Sequence, residues 1–156
     1  MVKAWSNIKK KDLSKDWELT LIGNGSFYNQ LSKSNIYETI SFMQPKDLVC
    51  EIKNFGCFLL PSTFEPWALV IHEFATAGLP IICSDICGAA PMFVIDNYNG
   101  YTFKSGNSSN LEMKMIKIIN SSDEELIQMS KRSNSLGKRI TPELTAASFM
   151  SLVNNN

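Results

Sequence analysis

"CFLLPSTFEPWALVIHEFATAGLPIICS", Cys57 to Ser84, decides the fold. Cys57 to Pro61 is short and apolar throughout, the composition of a buried central strand in a parallel sheet. Pro66 suits a first helical turn, and Trp67 to Ala77 continues in good helix formers until Gly78-Leu79-Pro80 stops the helix. Pro80 to Ser84 is a second buried strand. This strand, helix, strand order is the repeating unit of a parallel sheet covered on both faces.

The same pattern extends outward in both directions. Upstream, Trp17 to Gly23 reads as a strand running into the turn Gly23-Asn24-Gly25, and Ile40 to Met43 as another. Pro45 then opens a helix whose Leu48, Ile52 and Phe55 form a core-facing stripe. Downstream, the loop Asp85 to Ala90 leads into a short helix ending near Val94, and Gly100 to Phe103 is a last strand. Three helices follow. Leu111, Met115 and Ile118 share a face of the first, Ser122 and Glu125 form a capping box on the second, and Thr141-Pro142 opens the third. The terminal Asn154 to Asn156 is expected to fray. With no repeat and no linker, residues 1–156 form one α/β domain, a Rossmann-like three-layer arrangement around a parallel sheet.

Composition excludes several function classes. Fifteen basic residues balance fifteen acidic ones, so no overall field recruits nucleic acid. No apolar run approaches the roughly 20 residues that span a bilayer, and the N-terminus lacks the apolar core of a signal peptide, which points to the cytoplasm. Cys50, Cys57, Cys83 and Cys87 have no zinc-site spacing and read as reduced structural thiols, with a redox pair at Cys83 and Cys87 as the alternative.

The acids at Glu65 and Glu73 carry the functional question. Near a helix start they could be ordinary surface carboxylates favoured by the macrodipole. In an open parallel sheet, however, ligands bind beyond the carboxyl ends of the strands, where the loop Pro61 to Glu65 lies. A helix N-terminus there can accept a diphosphate. If Pro66 begins the helix, Glu73 lies about 10 Å further along its axis at 1.5 Å per residue. A carboxylate at that point suits the vicinal hydroxyls of a ribose, and Glu65 is left facing a transferred sugar.

At these residues the chain resembles retaining GT-B glycosyltransferases of family 4, the glycosyl transferases group 1. Their glutamate-x7-glutamate region reads roughly P-S-x-x-E-P-F-G-L-V-x-x-E-A-x-A-x-G-L-P-V. Pro61-Ser62, Glu65-Pro66, Leu69-Val70, Glu73, Ala75 and Gly78-Leu79-Pro80 match it. "WELTLIGNG" resembles the family's strand ending in a G-x-G turn, and "NYNGYTF" its later N-G turn. The resemblance implies the C-terminal, donor-binding half of such an enzyme. It also implies a nucleotide-diphosphate sugar as donor and transfer with retention to a glycan or lipid-linked acceptor, with no cofactor and no obligatory metal. Glu65 is then the catalytic-site acid at the donor sugar. Pro66, Trp67, Ala68, Leu69 and Val70 meet sugar and phosphates, Glu73 holds the ribose, and Gly23, Met43 and Gln44 lie near the nucleoside.

Departures from the family's pattern shape the remaining expectations. Trp67-Ala68 replaces Phe-Gly, so a backbone position expected to approach the donor carries a methyl group. A Gly-Gly-x-x-Glu loop is altered to Cys87-Gly88-Ala89-Ala90-Pro91. The upstream strand and loop, with an Arg and a Lys that neutralise the diphosphate, have no counterpart, because "MVKAWSNI" resembles the helix after them. The acceptor-binding N-terminal domain has no counterpart either. Loss of a well-placed transition-state donor costs about 3 to 4 kcal/mol. A donor half unable to catalyse transfer alone is therefore expected, whether as an excised domain, a truncated product or part of a split enzyme. The alternative is a non-catalytic nucleotide-sugar-binding or interaction module that keeps the fold.

Two further features are read as structural. His72, the only histidine, stands where the motif is usually aliphatic. The pairs Lys131-Arg132 and Lys138-Arg139 read as a solvated helix face, with peripheral contact to an anionic membrane face as the alternative.

Overall fold

Every strand in the computed structural model, which describes residues 1–154, runs parallel to its neighbour. Two sheets are present among the described residues. One pairs β1 (Thr20–Ile22) with β2 (Glu38–Ile40), and the other has the order β3 (Phe58–Leu60), β4 (Ile81–Ser84), β5 (Gly100–Phe103). Parallel neighbours require crossovers. These are α2 (Tyr28–Leu31) between β1 and β2, α4 (Leu69–Thr76) between β3 and β4, and α5 (Ala90–Phe93) between β4 and β5. Helix α1 (Val2–Lys10) precedes the strands. Helix α3 (Pro45–Glu51), extended by a 3₁₀ turn at Ile52–Asn54, leads into β3. Helices α6 (Ser108–Asn120), α7 (Asp123–Gly137) and α8 (Pro142–Asn154) follow β5.

The alternation of side chains along β4 builds two cores, one on each face of its sheet. Ile82 packs with Tyr101 and Phe103, with Trp5 and Ile8 of α1, and with Leu111, Met115 and Ile118 of α6. Ile81 and Cys83 face the other way, toward Ile71 and Ala75 of α4 and Phe93 of α5. The result is the expected three-layer α/β arrangement. Two polar clamps join distant segments: Trp5 Nε1 donates to the Ile36 carbonyl at 2.6 Å, and the Glu112 carboxylate accepts from Asn7 at 2.8 Å and Lys11 at 2.7 Å.

Several expected elements are displaced. The second strand covers Glu38–Ile40, not Ile40 to Met43, because the chain turns where Phe42 N–H donates to the Asn24 side chain. All three residues of β3 are half-buried, because β3 forms an edge of its sheet and β4 takes the central place. Leu48, Ile52 and Phe55 are likewise half-buried instead of fully core. Helix α8 exposes Leu144, Phe149, Met150 and Leu152. Of the terminal asparagines expected to fray, residues 155 and 156 lie outside the described residues, and Asn154 ends α8.

Candidate functional site

The loop from Pro61 to Ala68 leaves the carboxyl end of β3 and is tied down from three sides. Ser84 Oγ, at the end of β4, donates to the Ser62 carbonyl at 2.7 Å, and Ser105 Oγ, beyond β5, donates to the same oxygen at 3.3 Å. Gly88 N–H donates to the Glu65 carbonyl at 3.2 Å and Ala89 N–H to that of Trp67 at 2.7 Å. The approach depends on Gly88. A Cβ there would lie 2.0 Å from the Pro66 carbonyl oxygen, inside any real contact.

Within this loop the Glu65 carboxylate accepts the Ala68 N–H at 3.0 Å. Ala68 adopts a left-handed conformation, φ 72° and ψ 66°, and helix α4 begins only after it, at Leu69. The expectation that Pro66 opens the helix is therefore corrected, because the bonds to Gly88 and Ala89 and the Glu65 cap hold Pro66 to Ala68 as loop. Glu73 becomes the fifth residue of α4, about 6 Å along the axis from Leu69, and not about 10 Å from a helix start at Pro66. Glu73 is exposed, as are Trp67 (46%) and Leu69 (59%). Ala68 is only 5% exposed and belongs to the core cluster of Ile71, Cys87 and Ala89. The methyl group that distinguishes it from glycine is thus buried in that core. Ile71 N–H donates to the Ala68 carbonyl at 2.9 Å, while the N–H groups of Leu69 and Val70 have no intrahelical partner and point toward the loop end of the helix.

A second group of residues comes from the first sheet. Gly23 N–H donates to the Ile40 carbonyl at 3.0 Å, φ at Gly23 is 142°, and no atom lies within 4 Å of a Cβ built there. Gln44 caps the start of α3 with extended backbone and is exposed, while Met43 before it is half-buried. A cavity of about 1020 Å³ lies between the two sheets, and Gly23, Met43, Pro61 and Val70 are in its wall. Gln44, Glu65, Glu73 and the residues Pro66 to Leu69 are not among its lining. The structure therefore brings Gly23, Met43 and Val70 together in the cavity wall, and leaves both glutamates outside it, Glu65 in the loop before α4 and Glu73 within α4.

Among the remaining candidates, His72 and Arg132 make structural contacts. His72 Nε2 lies 2.8 Å from the Gly137 carbonyl of α7, and its ring stacks on Phe93 at 4.5 Å. All four cysteines are free, and burial pushes the thiols of Cys57 and Cys83 up to about 12, so both stay protonated. Arg132 stacks on Tyr98 at 4.5 Å and donates to its carbonyl at 3.0 Å, whereas Lys131, Lys138 and Arg139 are exposed. No helix among the described residues is long and apolar enough to cross a membrane. Sequence reasoning missed the role of Gly88 and the Ser62, Ser84, Ser105 contact. Only the position of Gly88 in the loop after β4 hinted at a close approach.

Parallel strands in a three-layer α/β domain, with loops and a helix start gathered beyond β3 and β4, give the Rossmann-like arrangement in which ligands bind beyond the carboxyl ends of the strands. The chain belongs to the family of glycosyl transferases group 1, whose profile matches residues 1–136. None of the curated protein sequences matches it. Among solved structures it is similar to the crystal structure of TarM, with a TM-score of 0.81 and 18% identity over 98% of this chain and 31% of that one. Sucrose-phosphate synthase from Thermosynechococcus elongatus gives a TM-score of 0.76 and 15% identity over 97% of this chain and 41% of that one. The pneumococcal O-GlcNAc transferase GtfA, in complex with UDP and GlcNAc, gives 0.76 and 18% over 99% and 32%. The chain thus spans between 31% and 41% of the length of these three proteins.

Proposed function

We propose that this chain is the donor-binding, C-terminal half of a retaining family 4 glycosyltransferase. It holds a nucleotide-diphosphate sugar for transfer to a glycan or lipid-linked acceptor that a further domain supplies. The observation that carries this reading is the Pro61 to Ala68 loop, fixed at the carboxyl ends of β3 and β4 and feeding directly into the N-terminus of α4. An anionic diphosphate at that helix start is stabilised by the unpaired N–H groups of Leu69 and Val70 and by the dipole of α4.

In this reading Glu65 serves the donor sugar through its free carboxylate oxygen, since Oε1 is already engaged by Ala68 N–H. The backbone from Pro66 to Val70 meets sugar and phosphates. Glu73 accepts the two ribose hydroxyls, and Gly23, Met43 and Gln44 frame the nucleoside. No metal or cofactor is assigned a role, the domain extends over 1–156, and the setting is the cytoplasm, at the inner face of the membrane when the acceptor is lipid-linked. The exposed apolar side chains of α8 suit contact with a second domain.

One observation favours the alternative of a non-catalytic binding or interaction module. The cavity wall carries Asp16, Glu18, Glu38 and Glu51 but no lysine or arginine. In that reading the cationic side chains that would stabilise a departing nucleoside diphosphate come from a further domain, and the chain alone binds donor without transferring sugar.

Calorimetric titration with UDP, GDP and ADP and their sugar conjugates tests the proposal. One nucleotide should bind, and Glu73→Ala should weaken it about tenfold or more, the worth of hydrogen bonds to a charged group. Equal affinity in wild type and Glu73→Ala would contradict the assignment of Glu73.

A further inference from the structure

The segment that follows the central strand β4 is chemically one-sided. "ICGAAPMFVI", Ile86 to Ile95, is ten residues without a hydroxyl, amide or charged side chain, and its one thiol, Cys87, is buried. Ligands of a parallel sheet bind beyond the carboxyl ends of its strands, so this segment borders the proposed donor site. It also meets the Glu65 loop directly. Gly88 and Ala89 donate to the carbonyls of Glu65 and Trp67, and Cys87 and Ala89 share a core cluster with Ala68.

Its backbone donors are engaged as well. Cys87 N–H donates to the Ser84 carbonyl at 3.2 Å, Ala90 N–H to that of Cys87 at 3.0 Å, and Met92 N–H to that of Ala89 at 3.1 Å. Gly88 and Ala89 are bonded to the Glu65 loop and Pro91 has no N–H, so the backbone from Cys87 to Met92 has no donor left for a ligand. Asp85, the acid just before the segment, is drawn toward β5, where its carboxylate accepts the Ser105 N–H at 2.9 Å. What the segment presents to solvent is apolar: Ile86 is 43% exposed and Met92 44%. The Glu65 loop is polar by contrast, with an exposed Thr63 and the second carboxylate oxygen of Glu65.

These two sides sort the groups on a bound sugar. A hydroxyl set against Ile86 or Met92 gives up water and finds neither a donor nor a polar side chain in exchange. A methyl group in the same place buries apolar surface at no such cost. We propose that the sugar taken by this site carries a methyl group, that of a 6-deoxyhexose or of an acetamido substituent, seated against Ile86 and Met92. Its hydroxyls then turn to the Glu65 loop, and a fully hydroxylated hexose is the poorer donor group. Ile86, the first residue of the segment, is the specificity-determining side chain. This inference rests on the donor reading and deepens it.

The test is calorimetric titration of the 156-residue chain with UDP, GDP and ADP, then with the glucose, 6-deoxyglucose and N-acetylglucosamine conjugates of the nucleotide that binds. One methyl-bearing conjugate should bind about tenfold more tightly than the glucose conjugate, as expected for one apolar carbon in a fitted pocket. Which of the two does so identifies the source of the methyl group. Ile86→Ser should cut that ratio to about twofold or less, whereas a merely structural defect would weaken free nucleotide and every conjugate alike. If the variant does not fold, nuclear Overhauser contacts between the methyl of the bound conjugate and the Ile86 methyls of the wild type decide. A glucose conjugate that binds as tightly as both others, or methyl contacts that leave out Ile86, would overturn the inference while the donor reading stands. Binding of none of the three nucleotides would overturn both.

Discussion

Ala68 holds a conformation that glycine adopts at no steric cost, and its energetics balance. Left-handed backbone costs a non-glycine residue about 1 to 2 kcal/mol. Against that, glycine would lose about 0.4 to 1 kcal/mol through the unfolded chain and about 0.8 kcal/mol through the buried methyl group. Ala68→Gly should therefore shift stability by less than about 0.5 kcal/mol in a urea titration, and a loss above about 1.5 kcal/mol would show that the methyl does more than fill space. Gly88 is the opposite case. Gly88→Ala drives a Cβ into the Pro66 carbonyl, and neither backbone can give way without breaking the bonds that hold the Glu65 loop. A loss of about 2 to 3 kcal/mol is expected, with nucleotide binding weakened in the protein that remains folded. Unchanged stability would mean that the loop after β4 does not clamp the site.

At the scale of elements, the clamp between α1 and α6 makes a pH-dependent prediction. Lys11 and Asn7 donate to the Glu112 carboxylate and hold its pKa below the ordinary carboxylate range. A depressed folded-state pKa contributes stability that is complete above the unfolded value, about 4.3, and is lost as pH falls through the folded value. Glu112→Gln should cost about 1 kcal/mol at pH 7, and the gap from wild type should close in chemical denaturation below about pH 4. A gap independent of pH would assign the effect to packing alone. Helix α4 is anchored at its other end by α7. Gly137 packs so tightly on Thr76 that a Cβ would meet its backbone nitrogen at 2.4 Å. Gly137→Ala should therefore lower the melting temperature, and because α4 carries Glu73 it should also weaken nucleotide binding.

Elements fixed by local chemistry were legible in the sequence. Gly78 ends α4 with φ 85°, and the N–H groups of Gly78 and Leu79 return to the carbonyls of Ala75 and Phe74, as the Gly-Leu-Pro stop implied. The capping box of Ser122 and Glu125 is present on α7, and Thr141 Oγ1 accepts from Leu144 N–H at the start of α8. Features fixed by tertiary contact were not legible. The start of α4 depends on Glu65 and on loop bonds from residues more than 20 positions away, and the edge position of β3 depends on what lies beside it. For the site, the motif located Glu65 and Glu73 in sequence, but only the fold shows that they lie outside the wall of the cavity that takes in Gly23, Met43 and Val70.

For the whole molecule, one family profile over residues 1–136 and a parallel α/β fold place the chain among the glycosyl transferases group 1. The proposal adds that the N-terminus of α4 and its two flanking glutamates form the donor site. The most direct test is a backbone amide chemical-shift map of the intact chain during titration with UDP, GDP and ADP. The account predicts that the nucleotide that binds shifts Leu69, Val70 and Glu73 at the start of α4 together with Gly23 across the cavity. Shifts confined to another surface, such as that formed by Asn97, Gln128 and Arg132, would contradict it.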